Sequence, residues 1–350
     1  MTVYLNASSH GAPSHATLTA MAEMIAFEQK AGTAAALVKG AEFKVATREV
    51  AAELLGADVT GLSLGNATTP IWTALMARLD LARKRVLVAP HEWGENIRFL
   101  QGLADVRVEK LPEIDFASPD LSEWQAMIGP DVAAICVPMV SSVHGHLYPV
   151  AQIGALERPD GCFLIIDGAQ AVGQVPIDLS HMGCDAFIAT GRKWLRGPRS
   201  SAMYWLSEAL RAKVPVPQLE PFDLSQVLMA GLRSALNEVL VPGQAQVTEQ
   251  IRVTSTRLAR ELAQIGLPLD AGLGPMTGAV TIALPKDRIT GIAEAMASCG
   301  FEVKCPNPAM DESWAQRPLA PSHMPMRISP HVYTSEAEID AVGAALAELL

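Results

Sequence analysis

The chain has 350 residues, of which 49% are hydrophobic and 18% are charged, and its formal net charge is −10. This length exceeds what one hydrophobic core usually organises, so two domains are expected. The acidic balance argues against nucleic acid and anionic membranes as partners. No apolar run reaches the roughly 18 residues of a membrane span, and the first residues lack the pattern of a signal peptide.

The cysteines and histidines of the chain match no metal-binding spacing. The five cysteines are Cys136, Cys162, Cys184, Cys299 and Cys305. Four of them lie in or beside apolar runs, so free thiols and a cytoplasmic location are expected. The loop pair His144 and His146 is interpreted as polar surface, and no metal site is expected.

Helical and strand patterns alternate through the first two thirds of the chain. Residues 14–32 predict a helix capped by Ser14, and residues 47–57 predict a short helix that ends at Gly56. Six β-rich apolar runs follow, at 85–90, 106–111, 133–140, 162–167, 184–190 and 201–206. Because these runs are continuously apolar, they suit strands buried on both faces of a mostly parallel sheet. The expected fold class is α/β, with helices flanking this sheet.

After about residue 235 the pattern changes. A long amphipathic helix is predicted at 244–265, followed by a short strand at 278–285, a helix, and a closing helix at 334–350. This order is typical of a smaller α+β domain. The predicted domains are residues 15–235 for the large one, and residues 1–14 together with 236–350 for the small one.

Polar or aromatic side chains follow four of the predicted strands at their carboxyl ends. Trp93, Ser142 and Lys193 come shortly after such runs, and Asp167 is the last residue of another. Ligands of open α/β sheets bind beyond the carboxyl ends of the strands. Four suggestive residues at this edge therefore predict a binding pocket.

Residues 65–79, "GNATTPIWTALMARL", add a candidate anion site. Ala67 and Thr68 lead into a helix whose first turn is fixed by Pro70. Free backbone N–H groups at such a helix N-terminus bind phosphate. Taken alone, the segment is explained better as a plain helix cap.

One ligand requires a lysine, a buried acid, a flat stacking surface and a phosphate cradle together, and that ligand is pyridoxal 5'-phosphate. The lysine forms a Schiff base with the aldehyde, and the acid keeps the pyridine nitrogen protonated. The helix N-terminus holds the phosphate, and an aromatic ring stacks on the pyridine. The combination of Lys193, Asp167 and Trp93 with residues 65–79 therefore predicts this cofactor.

Several longer segments carry a family resemblance that runs almost from end to end. They are "VYLNASSHGAPSHATLTAM", "NATTPIWTAL", "HEWGEN", "DGAQAVGQVPIDLSHMGCDAFIATGRKWLRGP" and "MRISPHVYTSEAEIDAV". Together they resemble the class V aminotransferase-type enzymes of pyridoxal-phosphate fold type I. The fourth segment, which contains Asp167 and Lys193, is the most specific.

The resemblance assigns the catalytic and ring-binding residues. Lys193 would be the Schiff-base lysine, and Asp167 would pair with the pyridine nitrogen. Gln170 would reach the phenolic oxygen of the cofactor, and Trp93 would stack on its ring. Ser142 stands where many relatives carry an Asn that faces the cofactor oxygen, so this contact is expected to be weaker.

The resemblance also assigns phosphate and substrate contacts. Ala67 and Thr68 would hold the phosphate, with Thr190 and Arg192 adding contacts to it. Arg327 would bind the substrate α-carboxylate as a bidentate pair. The remaining substrate-binding candidate is His10, which lies in a segment that resembles an active-site loop of the family. The family usually places its active site at a dimer interface, which implies a homodimer.

The type of reaction follows from the subgroup. The segments "HEWGEN", "MVSSVHGHLYPVAQI", "GRKWLRGPR" and "RISPHV" resemble C–S lyases of ergothioneine biosynthesis, which cleave hercynylcysteine sulfoxide. The implied reaction is β-elimination from an S-substituted cysteine, with release of pyruvate and ammonia. An acid must assist the leaving sulfur. The candidates for this acid are His10, His144, His146 and His331.

Other activities of this fold stay open. They are transamination, epimerisation of the isopenicillin N type, and cysteine desulfuration. A desulfurase needs a nucleophilic cysteine, and Cys305 is interpreted as a structural thiol because its position and neighbours differ from that pattern. A catalytically silent scaffold is the alternative of a different class, and the retained trio Lys193, Asp167 and Arg327 argues against it.

Overall fold

A computed structural model of the chain describes residues 2–215, 219–221, 223–267, 269, 277–315 and 322–350. Seven strands form the central sheet. They are β2 (Leu62–Gly65), β3 (Arg85–Val88), β4 (Arg107–Lys110), β5 (Val132–Pro138), β6 (Phe163–Asp167), β7 (Ala186–Thr190) and β8 (Ala202–Leu206). Their spatial order is β2-β8-β7-β6-β5-β3-β4. β8 runs antiparallel to both of its neighbours, and the other pairs are parallel. The mostly parallel α/β sheet predicted from the six apolar runs is confirmed.

Both faces of this sheet are covered. Along β5, Ile135 and Val137 belong to one apolar cluster, whereas Ala134 and Cys136 belong to a second cluster on the other face. Successive side chains of a strand point to opposite faces. A strand with apolar partners on both faces therefore has no polar positions to alternate with, which explains the continuous apolar runs.

Twelve helices of the described residues surround the strands. They are α1 (His15–Ala31), α2 (Thr33–Leu55), α3 (Thr68–Met76), α4 (Gly94–Gln101), α5 (Ser122–Met127), α6 (Val150–Gly154), α7 (Glu208–Arg211), α8 (Gln226–Leu240), α9 (Gln244–Gln264), α10 (Ile289–Ser298), α11 (Pro308–Asp311) and α12 (Glu336–Leu349). α1 begins as predicted, because the Thr17 N–H donates to Ser14 Oγ at 3.0 Å. No helix of the described residues is long and apolar enough to cross a membrane.

The helix predicted at 47–57 is much longer than expected. α2 spans 23 residues and ends at Gly56, whose φ of 58° is left-handed. Its early buried positions are the small residues Ala36 and Gly40, which form no apolar stripe that a sequence pattern could detect. α2 packs against α8 there, and a Cβ on Gly40 would lie 2.0 Å from Gln226 Cγ. Close helix packing, rather than periodicity, thus explains the first half of α2.

The C-terminal part has its own apolar cluster and its own strands. β9 (Val280–Pro285) pairs antiparallel with β11 (His323–Ile328), and β1 (Val3–Tyr4) pairs in parallel with β10 (Phe301–Glu302). The cluster contains Leu5, Leu258, Leu262, Ile282, Met326 and Val342. The helix at 244–265, the strand at 278–285 and the closing helix were all expected and correspond to α9, β9 and α12. The domain boundaries themselves stay a prediction.

The N-terminal segment connects this C-terminal part to the large sheet. The Ala7 N–H donates to Ser329 O at 3.1 Å, and the Gly11 N–H donates to Arg192 O at 2.8 Å. A Cβ on Gly11 would lie 2.3 Å from Lys193 O. Only glycine allows this close approach, so the N-terminal segment fixes the backbone that carries Lys193.

Candidate active site

A cavity of about 410 Å³ lies at the carboxyl ends of the parallel strands. The residues predicted from the sequence that line it are Thr68, Trp93, Ser142, Asp167, Gln170, Arg192, Lys193 and Arg327. Ala67, Thr190 and His10 do not appear in its described lining. The predicted pocket is therefore present at the expected edge of the sheet.

Lys193 lies just after β7. It lines the cavity and is half-buried. Burial against the surrounding protein, together with the nearby guanidinium of Arg192, lowers its pKa from 10.5 to about 7. Asp167 opposes this shift, and Arg327 adds to it. A substantial fraction of the amine is consequently neutral at neutral pH, and a neutral amine is the nucleophilic form.

Asp167 is the last residue of β6 and is 8% exposed. Its Oδ1 accepts the Ala169 N–H at 2.8 Å, and its Oδ2 accepts Asn96 Nδ2 at 3.3 Å. Burial raises the pKa of Asp167, whereas the Ala169 N–H and the positive charge of Lys193 oppose the rise. The carboxyl is thus held by donors on both oxygens and lies near a cation.

The N-terminus of α3 faces the same cavity. Ala67 is its N-cap residue and makes no side-chain cap, and Thr68 and Thr69 line the cavity. The first N–H groups of a helix have no partner within the helix, so this end can receive an anion. The Thr190 hydroxyl is engaged elsewhere, since it donates to Ser201 O at 3.2 Å.

Gln170 and Arg192 both contact the N-terminal segment. Gln170 Nε2 donates to Ser8 O at 2.9 Å, and Gln170 Oε1 accepts Trp194 Nε1 at 3.0 Å. Both ends of this amide are therefore occupied by protein groups. The Arg192 guanidinium donates to Ser9 O, and burial lowers its pKa.

Arg327 projects from β11 into the cavity and is 4% exposed. It donates to Ser142 O and, at 2.7 Å, to Ser9 Oγ. Burial lowers its pKa to about 10, and the carboxyls of Asp311 and Glu312 oppose the shift. Arg327 is therefore a cation at neutral pH whose guanidinium is held in one place.

Two of the histidines considered as acids, His331 and His10, have surroundings that lower their pKa. His331 Nδ1 accepts the Val332 N–H and Nε2 lies 2.9 Å from Trp194 O, so both nitrogens are engaged. Burial lowers the pKa of His331 to about 3. His10 is half-buried, and burial followed by the charges of Arg199 and Arg192 lowers its pKa.

The interpretation of His144 and His146 as polar surface is wrong. They are 7% and 8% exposed, and their rings stack with centroids 5.4 Å apart. The C-terminal part covers their loop, because Thr277 Oγ1 donates to Gly145 O at 3.0 Å and Thr281 Oγ1 donates to Val143 O at 2.7 Å. Among the described residues, no group of three or more His, Cys, Asp or Glu side chains is arranged to hold a metal ion.

Sequence reasoning missed four buried polar residues at or beside the site, namely His91, Glu92, Asn96 and Glu312, of which His91 lines the cavity. Glu92 and Glu312 are both 0% exposed. Glu312 Oε1 accepts the Val143 N–H at 2.6 Å and Ser142 Oγ at 3.3 Å. The segment "HEWGEN" carried no helical spacing signal for Glu92, which lies before Trp93, the N-cap of α4, whereas Asn96 lies within this helix. Nothing in the sequence around Glu312 indicated its burial.

Comparisons with known proteins agree with this geometry. The family model described as aminotransferase class V matches residues 46–220, which is half of the chain. The chain belongs to the class V aminotransferase family. The cofactor of this family is pyridoxal phosphate, so the family and the cofactor predicted from the sequence are confirmed.

Two curated relatives and one solved structure illustrate the range of similarity. A Mycobacterium tuberculosis protein named "Probable hercynylcysteine sulfoxide lyase" is 26% identical, covering 98% of this chain and 89% of its own length. The isopenicillin N epimerase of Amycolatopsis lactamdurans is 26% identical over 75% of this chain and 71% of its own. The structure of the cystine C–S lyase C-DES with cysteine persulfide superposes with a TM-score of 0.87 at 19% identity, covering 99% of this chain and 97% of the other. Fold type I is thereby confirmed.

The buried carboxyl of Glu92 predicts a pH-dependent stability. Burial, followed by the charge of Asp167, raises its pKa from 4.5 to about 8 in the folded protein. A raised carboxyl pKa contributes stability that is complete below the unfolded pKa and is lost as the pH rises through the folded pKa. Glu92→Gln resembles the protonated acid. Its free energy of unfolding should therefore rise relative to that of the wild type between pH 5 and 8, by on the order of 1 kcal/mol per pH unit.

Urea unfolding of the cofactor-free proteins at several pH values measures this difference. Glu95→Gln is the matched control, because Glu95 lies three residues further along the chain, in the first turn of α4, and is exposed to water. A Glu92→Gln difference that stays constant from pH 5 to 8 would contradict the assignment of a neutral Glu92.

Proposed function

We propose that the protein is a pyridoxal-phosphate-dependent C–S lyase. It removes the sulfur group from Cβ of an S-substituted cysteine, such as hercynylcysteine sulfoxide, and pyruvate and ammonia are released. The observation that carries the proposal is that Lys193, Asp167 and Arg327 line one cavity. The similarity to a named hercynylcysteine sulfoxide lyase over 98% of the chain supports the choice of reaction.

The residues around the cavity fit the cofactor. The cavity volume of about 410 Å³ is within the usual range for small-molecule pockets. Lys193 would bind the aldehyde, Asp167 the ring nitrogen and half-buried Trp93 the ring face. The open N-terminus of α3 and the Arg192 guanidinium would hold the phosphate. Of the other assigned contacts, Thr68, Ser142 and Gln170 line the cavity, although both ends of the Gln170 amide are occupied, and Ala67 and Thr190 are outside its described lining.

Each of the three central residues has a defined task. Bound cofactor supplies an electron sink for the carbanion at Cα. Asp167 keeps the proton on the ring nitrogen, and the Arg327 guanidinium orients the substrate carboxylate through two parallel hydrogen bonds. Lys193 Nζ, whose pKa is about 7, accepts the Cα proton in its neutral form.

The proton for the leaving sulfur comes from the same lysine in this proposal. None of the four histidines considered for this role is in the described lining of the cavity, and burial lowers the pKa of His91, which does line it. Lys193, once protonated at Nζ, can return its proton to the departing sulfur. Loss of the Cα proton and of the Cβ–S bond leaves an unsaturated amine, whose hydrolysis gives pyruvate and ammonia.

Cysteine desulfuration is the alternative that a specific observation favours. Cys305 lines the cavity and is half-buried, although it was interpreted as a structural thiol. Burial raises the pKa of Cys305, while neighbouring Lys304 opposes the rise. A raised pKa reduces the thiolate fraction and hence the nucleophilicity of the sulfur. Elimination is therefore the better-supported reaction.

Borohydride reduction tests the assignment of the lysine. Reduction of the cofactor-loaded protein should leave a pyridoxyl label on the peptide that contains Lys193, and Lys193→Ala should remove this label. Lys304→Ala is the matched control, because Lys304 is a second lysine in the cavity lining and should not change the label. A label on another lysine would contradict the site, and absence of any label would mean that Lys193 does not bind the aldehyde.

Pyruvate release from cysteine sulfoxide conjugates, including the hercynyl one, tests the reaction. Arg327→Ala should lower kcat/KM by roughly 30- to 1000-fold, because a charge-assisted bidentate pair contributes about 2–4 kcal/mol. Arg327→Lys should not restore it fully, since an ammonium lacks the planar fork. Cys305→Ser should keep most of the activity.

Three results would each contradict the proposed reaction or the proposed anchor. Transfer of the amino group to a keto acid without pyruvate from any sulfoxide or thioether would identify an aminotransferase. Near-total loss in Cys305→Ser with cysteine as substrate would identify a desulfurase. Full efficiency of Arg327→Ala would place the carboxylate anchor elsewhere.

We also propose that the protein is a homodimer located in the cytoplasm. α1 and α2 expose large apolar side chains, and such a surface is typical of an interface. These side chains are Leu18, Ile25, Leu37, Val38 and Val45. All five cysteines are free, as is usual in a reducing compartment.

Light scattering should give a mass of twice 37.2 kDa. Val38→Glu should shift the protein toward the monomer, because a charge on a covered apolar face is costly. Val253→Glu is the matched control, since Val253 is similarly exposed on α9. A monomeric wild type that is active and saturated with cofactor would contradict the dimer.

A further inference from the structure

A second buried carboxyl lies one amide group away from Asp167. Asn96 Nδ2 is 2.9 Å from Glu92 Oε1 and 3.3 Å from Asp167 Oδ2, so one NH₂ group serves both carboxyls. Glu92 Oε1 also accepts the backbone N–H of Trp93 at 2.9 Å. Glu92 thus contacts both the residue that bridges to Asp167 and the backbone of the aromatic residue in the cavity lining.

The surroundings of Glu92 favour its neutral form. The groups that face it are Asp167 from β6, Cys136 from β5, Glu312 after α11 and Tyr148. None of these groups is a cation. Glu92 Oε2 is buried and has no hydrogen-bond partner among the described residues. An ionised carboxylate in this place would lack both a counter-charge and full hydration.

Asp167 is the member of the pair that favours the charged form. It accepts the Ala169 N–H, and the positive charge of Lys193 stabilises its negative charge. Two carboxyls joined through one amide do not both ionise readily, because each charge raises the pKa of the other group. The proton of the pair therefore stays on Glu92 and the charge on Asp167.

We propose that Glu92 is a positioning residue that acts as a neutral acid. Its Oε1 holds the Asn96 amide, and Asn96 in turn holds the Asp167 carboxylate in one orientation. The same oxygen fixes the backbone of Trp93, so a single buried carboxyl orders the ring-nitrogen partner and the ring-stacking residue. This inference rests on the role proposed above for Asp167.

The affinity for pyridoxal phosphate at pH 7 tests this role without measuring turnover. Glu92→Gln keeps the acceptor oxygen and carries no charge, so its dissociation constant should stay within about twofold of the wild type. Glu92→Leu and Asn96→Leu each break a hydrogen bond of the chain and should weaken binding by about 5- to 30-fold. The double variant should lose no more than the weaker-binding single variant, because both changes interrupt one path.

Cys136→Ala is the matched control for packing. Cys136 is a fully buried neighbour of Glu92 that makes no contact with Asn96 in the hydrogen-bond network, so its truncation should leave the affinity unchanged. Circular dichroism of the cofactor-free variants verifies that they fold. If Glu92→Leu does not fold, Glu92→Gln and Asn96→Leu decide the question.

Several outcomes would overturn the inference. Glu92→Gln binding as weakly as Glu92→Leu would mean that Glu92 acts through its charge. Wild-type affinity in Asn96→Leu, or additive losses in the double variant, would remove Asn96 from the path. Weak binding of pyridoxal phosphate by Cys136→Ala would mean that the losses in the Glu92 and Asn96 variants come from disturbed packing. A wild type labelled at Lys193 with these results rejects this inference alone, whereas a wild type that takes up no cofactor rejects the proposed function as well.

Discussion

The burial of charge around one cavity is the constraint on which the site depends. Two lysines, two arginines and two aspartates line this one cavity. Burial shifts the pKa values of Lys193 and Asp167 in opposite directions: it lowers the pKa of the amine and raises that of the acid. Each group is therefore closer to its neutral form than it would be in water. An enzyme that must move protons at neutral pH gains from this arrangement.

The sheet makes this concentration of charge possible. β3, β5, β6 and β7 are parallel neighbours, so the residues after each strand meet at one edge. The strands themselves are apolar on both faces and give the loops a rigid base. Arg327 reaches the same cavity from β11, which belongs to the C-terminal apolar cluster. The cavity thus lies where two separately packed parts of the chain meet, as many ligand sites do.

The fold class and the centre of the site could be predicted because their signals are local. A continuous apolar run indicates a buried strand. Asp167 stands out as a lone charge at the end of such a run, and Lys193 follows another run with Arg192 beside it. β2 was missed because its sequence, LSLG, is not a continuous apolar run, and half of α2 was missed because it packs through small side chains. Glu92, Glu312 and the stacked pair His144 and His146 were missed or misread for another reason. Their burial depends on segments distant in the chain, and a charged or polar residue in a loop normally indicates exposure.

The N-terminal segment has a consequence for how the protein folds. Ser8 Oγ lies 2.7 Å from Ser329 Oγ, a contact between residues 321 positions apart. On a ribosome the first residues leave the exit tunnel long before Ser329 exists, so they wait without their partner while the central sheet forms. The same segment also contacts the backbone next to Lys193, because the Gly11 N–H donates to Arg192 O at 2.8 Å. Contacts of such long range form slowly, and a chain that stops short of its last strand would leave its opening segment unpaired. The segment that packs against the backbone of Lys193 therefore depends on residues beside the last strand for part of its own placement.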